Sequence, residues 1–171
     1  MLRMIGAMLV ISGAAGTGLG MSAYVRRSAA ILQQLISSLE QMKSEIQFRR
    51  TPLPELMRVL SVGASGCVGA FWGLLADELY AGRSRSAAEA MRRCLAARPA
   101  EAFSAPTRSE LLSLGAGLGS YDADNQTRSI NLALSRLGGL LGELRAEQKA
   151  RVRSCCALGV CAGLALAILM F

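Results

Sequence analysis

The sequence predicts an all-α fold: a membrane-anchored bundle of about six helices, with two long antiparallel helices running on into apolar segments at the two ends of the chain. Three observations lead there. No charge occurs from Met4 to Val25 or from Ser154 to Phe171, while 18 of the 19 basic residues and all 12 acidic ones lie in between. Apolar residues beside each charge-free segment recur at helical spacing. No alternating, β-branched run competes with them.

The N-terminal segment, "MIGAMLVISGAAGTGLGMSAYV" (4–25), has 22 residues. At the helical rise it reaches about 33 Å, enough for a bilayer core of about 30 Å. The C-terminal segment, "SCCALGVCAGLALAILMF" (154–171), has 18 residues, near the lower limit for a span. Arg26 and Arg27 follow the first, and Lys149, Arg151 and Arg153 precede the second. The positive-inside rule then places the 26–153 block in the cytoplasm and both termini outside, with Arg3 alone running against that orientation. A cleaved signal peptide, with Arg3 as its n-region, is the competing reading of the first segment. It would make the chain a secreted helical domain. Gly16 and Gly20, and Gly159 and Gly163, sit one turn apart. Such pairs let helix backbones approach closely in lipid, within one chain or across a homo-oligomer.

Along the first long helix Leu32, Leu35, Leu39, Met42 and Ile46 step by three and four, which is heptad spacing. Ile130, Leu134, Leu137, Leu141 and Leu144 do the same along the last. Between them, "SGCVGAFWGLLADELYAG" (65–82) reads as a buried helix stopped at Gly82. "SAAE" (86–89) and "TRSE" (107–110) both fit the S/T-x-x-E capping box, which predicts helix starts at Ser86 and Thr107. Pro106 marks the second of these boundaries, and Pro99 closes the helix begun at Ser86.

Half of the chain's four prolines fall in "RRTPLPE" (49–55). Proline cannot continue a helix but suits its first turn, so Pro52 ends one helix and Pro54 opens the next, with Thr51 or Leu53 as cap. Glu55 is then favourably placed in the positive first turn. This makes a rigid corner about 35 Å along the helix from the first apolar segment. Arg49, Arg50, Thr51, Pro52, Leu53, Pro54 and Glu55 together form a candidate partner-binding tip.

Composition excludes much chemistry. The chain has no histidine, which removes Ser-His-Asp, Cys-His and His-metal sites. Its five cysteines include no C-x-x-C pair, so neither a zinc site nor a disulfide framework is expected. No G-x-x-x-x-G-K-[ST] loop is present, and "DADNQ" (122–126) lacks the glycine and final glutamate of a calcium loop. Catalytic, metal and cofactor sites are therefore all expected to be none. Glu45, Asp77, Glu78 and Asp122 are the carboxylates that an alternative membrane enzyme or small-molecule site would have to use, but nothing spaces them as a dyad. The formal charge of +7 comes with 5% aromatics and no basic–aromatic interleaving. That points away from nucleic acid and toward lipid headgroups or an acidic protein face.

Three stretches then line up in order: "MLRMIGAMLV" at the start, "LEQMKSEIQFRRTPLPELM" (39–57), and "LGSYDADNQTRSINLALSRL" (118–137). Within them stand "TPLPE" and an LG-x-x-D-x-x-x-Q pattern at Leu118, Gly119, Asp122 and Gln126. Together they resemble the stage III sporulation protein AB family of endospore-forming bacteria. The resemblance implies a subunit of the membrane complex that joins mother cell and forespore, in the mother-cell membrane facing the forespore. It also implies a cytoplasmic part similar to the F domain of type II secretion and type IV pilus platform proteins. By the same analogy the partners are the other stage III channel proteins, above all their cytoplasmic secretion-type ATPase, stage III sporulation protein AA. Asp122 is read as the N-cap of the last helix.

Overall fold

The structure is a computed structural model. It describes the backbone of residues 2–49, 51–118 and 123–170, and the side chains of 25–49, 51–118, 124–150 and Ser154. Among the described residues six α-helices and one 3₁₀ turn follow one another: α1 (Leu2–Phe48), α2 (Leu53–Gly63), α3 (Gly66–Tyr80), α4 (Ala87–Leu95), the 3₁₀ turn Arg98–Ala102, α5 (Ala105–Leu118) and α6 (Ala123–Met170). No strand occurs among the described residues. Residues 4–25 lie within α1 and residues 154–170 within α6. Among the described residues no helix is long and apolar enough to cross a membrane. Apart from Val25 and Ser154, the side chains of 4–25 and 154–171 lie outside that set, as do Gly16, Gly20, Gly159 and Gly163.

The chain divides into two compact units. One consists of Met1–Ala29 with Gly142–Phe171, the other of Ala30–Leu141. The second holds the packed core. All five seam positions of α1 are buried: Leu32, Leu35, Leu39, Met42 and Ile46. On α6 the seam is less regular. Ile130, Leu137 and Leu141 are buried, but Leu134 and Leu144 are half-buried and Ala133 takes an inner position instead. A real helix has about 3.6 residues per turn, so a strict 3.5 repeat drifts around its face unless the helix supercoils.

Helix α3 is the central element. Its apolar face buries Val68, Phe71, Trp72, Leu75 and Ala76, against α2 on one side and α4 and the 3₁₀ turn on the other. Phe71 packs against Trp72 at 5.1 Å between ring centroids and edge-on against Phe103 at 5.3 Å. The price of this packing is the Trp72 indole N–H, fully buried with no acceptor among the described residues. An unmet buried donor costs about 1–3 kcal/mol, less than the 3–5 kcal/mol that deleting a buried aromatic side chain costs.

Several helix boundaries differ from the sequence expectation, each for a local reason. α4 starts as expected: Ser86 Oγ accepts from the Glu89 N–H at 3.2 Å, and Glu89 Oε2 accepts from the Arg85 N–H at 2.9 Å. α5 starts earlier than Thr107. Ser104 Oγ accepts from the Thr107 N–H at 3.4 Å, so Ser104 is the cap and Pro106 sits inside the first turn, which tolerates proline. α4 ends at Leu95, four residues before Pro99, and Pro99 instead lies at the start of the 3₁₀ turn. α2 opens at Leu53 with Pro52 as cap. Neither Thr51 nor Leu53 caps it, because the Thr51 hydroxyl is directed back to Glu45. Gly82, at φ +61°, stops the chain just beyond α3, an angle that L side chains rarely adopt.

Candidate functional site

The proline elbow is held from inside. The Glu45 carboxylate, on the last turn of α1, accepts from the Thr51 hydroxyl at 3.2 Å and pairs with the Arg49 guanidinium at 3.4 Å. Its side chain is only 16% exposed, while that of Arg49 is 75% exposed. The anion is thus shielded and the cation is presented. Beside them Phe48 is 83% exposed. Pro52 and Glu55 are exposed, Leu53 and Pro54 half-buried, and Arg50 lies outside the described residues. Glu55 stands in the first turn of α2, as its charge requires.

The exit of α3 repeats the device. Glu78 accepts from the Ser84 hydroxyl at 2.8 Å and from Arg83 Nε at 3.0 Å, with Arg93 of α4 at 3.3 Å. The Ser84 hydrogen bond is the chief cause that lowers the Glu78 pKa below its ordinary value. Burial opposes it, and Arg83 and Arg93 add to it. Glu89 is likewise held low, first by the Arg85 backbone N–H. Cys94, buried nearby, is pushed up to about 11 by burial and by the charge of Glu78, so it is a neutral packing group at physiological pH.

Two contacts tie together the helices that carry these exits. Gln34 Nε2 of α1 donates to Ser65 Oγ at the start of α3, at 3.1 Å. From that level α1 and α3 each run about 21 Å to their ends at Phe48 and Tyr80. Between them Arg58 of α2 pairs with Asp77 at 2.8 Å and lies 5.9 Å over the Tyr80 ring.

Of the carboxylates singled out in the sequence, Glu45 pairs with Arg49 at the elbow, Asp77 and Glu78 pair with arginines at the exit of α3, and Asp122 lies outside the described residues. Among the described residues no group of three or more His, Cys, Asp or Glu side chains could hold a metal ion. A cleft of about 170 Å³ opens between Gln34, Ser37, Ser38 and Gln41 of α1 and residues 63–65, lined without any charged group.

The first and last residues of the LG-x-x-D-x-x-x-Q pattern are joined. Gln126 Nε2 donates to the Leu118 carbonyl at 3.3 Å, tying the start of α6 to the buried end of α5. Gly119 and Asp122 lie between, outside the described residues. Sequence reasoning missed that Glu45 and Glu78 organise the corners. The available signal was a carboxylate near a helix end followed six residues later by a hydroxyl, with arginine four or five residues on.

The family model described as "Stage III sporulation protein AB" matches residues 3–171. A curated relative of that name from Bacillus subtilis (strain 168) is 26% identical over 171 residues, covering 99% of each chain. A solved structure of stage III sporulation protein AB superposes with a TM-score of 0.66 at 24% identity, over 72% of this chain and 98% of that one.

Proposed function

The chain belongs to the stage III sporulation protein AB family, and we propose that it is a non-catalytic membrane platform subunit that docks a secretion-type ATPase through its proline elbow. Membership makes it a sporulation protein. The elbow carries the rest of the reading. A shielded glutamate fixes the connection, and what faces outward is a phenyl ring and a guanidinium. Phe and Arg are among the residues most enriched at protein interfaces, and a corner stiffened beforehand loses little entropy on binding. Engagement of Glu45, Asp77 and Glu78 in ion pairs supports a role without catalysis. The charge-free segments 4–25 and 154–171 and the arginines that border them support membrane anchoring by both ends of the chain.

The test is co-purification of the membrane-extracted full chain with the ATPase of the sporulation complex, stage III sporulation protein AA. Arg49→Glu with Arg50→Glu abolishes recovery of the ATPase and leaves membrane fractionation intact. Undiminished recovery from that variant overturns docking at the elbow.

A further inference from the structure

We infer that the docking surface does not end at the elbow: the exit of α3 forms a second half of it, and the two make one electropositive face for an acidic protein surface. This rests on the docking reading above and enlarges its site.

The observation is the repetition of one arrangement at two corners linked by α2, which starts at the first and through Arg58 contacts the second. At each, a glutamate near the helix end accepts a hydroxyl six residues on, Thr51 for Glu45 and Ser84 for Glu78. Each also holds an arginine of the connection, Arg49 or Arg83. The sidedness is the same in both. Glu78 is 11% exposed and Arg83 61%, matching the shielded Glu45 and the presented Arg49. Each pair is neutral in sum but not toward its surroundings. An approaching surface meets the guanidinium groups of Arg49 and Arg83 ahead of the shielded Glu45 and Glu78, and the exposed acids of the face are Glu55 and Asp77, the latter answered by Arg58. Arg85, exposed on the same connection, adds a third cation.

Each corner also presents an aromatic ring, Phe48 at 83% exposure and Tyr80 at 59%, and Arg58 of α2, the helix that leaves the elbow, reaches Asp77 and the Tyr80 ring at the other corner. Aromatic anchors rimmed by arginine are the composition of binding hot spots. Guanidinium groups recognise carboxylates in a fixed two-pronged geometry. A lipid surface needs no aromatic rings at a fixed spacing on rigid corners, which favours a folded partner with carboxylates around apolar pockets.

The test follows binding of the purified ATPase to the full chain in neutral-lipid nanodiscs over a range of salt concentrations. Arg85→Glu slows association about tenfold at low salt and flattens the salt dependence, as removal of a rim charge does. Tyr80→Ala speeds dissociation. Circular dichroism verifies that each variant is folded. If Arg85→Glu and Tyr80→Ala bind like the parent while Arg49→Glu does not, the second corner is overturned and the elbow stands. If the parent chain does not bind the ATPase, both readings fall. If Arg85→Glu instead abolishes capture of phosphatidylglycerol vesicles and leaves ATPase binding untouched, the face is a lipid face and the inference fails.

Discussion

The interior of the 30–141 unit and the end where α1 and α3 exit are built on opposite principles. Inside, Leu35, Leu39, Met42, Leu56, Met57, Phe71 and Trp72 are fully buried, and one indole donor goes unmet for the sake of packing. At the exits, packing gives way to directed polar contacts. Two glutamates take hydroxyl and guanidinium partners, and the aromatic rings beside them face outward. Burial is non-directional and scales with area, so it makes a stable body of whatever fits. Hydrogen bonds to charged groups are directional, so they fix the shape of a corner whose own apolar content is small. The difference separates what keeps the chain folded from what it offers to a partner.

Changes in the interior sharpen that separation most. Phe71→Ala removes the ring between Trp72 and Phe103 and lowers unfolding stability by about 3–5 kcal/mol in denaturant titration. A loss below about 1 kcal/mol would mean the aromatic cluster is not the centre of the core. Gly117→Ala comes next. An added Cβ would overlap the Ser129 side chain on α6, which costs about 1–3 kcal/mol, and Ser129→Gly in the same chain recovers most of it.

The exits respond to pH where the interior does not. Glu78 has its pKa lowered by folding from an ordinary 4.5, so it contributes stability above that value and loses it as pH falls through the lowered one. An acid titration of unfolding therefore shows a decline below about pH 4.5, and Glu78→Gln makes that limb shallower than in the parent. An unchanged limb would place the acid sensitivity elsewhere. Smallest of all is Arg49→Glu. An exposed pair contributes at most about 1 kcal/mol, so its melting curve stays close to the parent's even though docking is lost. A large fall in stability would make the elbow part of the core.

The same division decides how much could be read from the sequence. The α1 seam was legible residue by residue because burial leaves a period, and all five positions are inside. The α6 seam was legible only in part, since Ala133 displaces Leu134 where the repeat drifts. Ser86 announced its helix correctly because the capping box is a local rule. Thr107 did not, because Ser104, three residues earlier, can make the same bond. The elbow was visible through its prolines, but not its holding group. The partners of Glu45 and Glu78 depend on how each connection turns after the helix, and no periodicity records that.

The most direct test of the account is hydrogen–deuterium exchange on the full chain in nanodiscs, with and without the ATPase. Slowed exchange at 48–56 and 77–86, with 130–141 unchanged, is the predicted result. Protection confined to α6, or none at either exit in a complex shown to have formed, would contradict it.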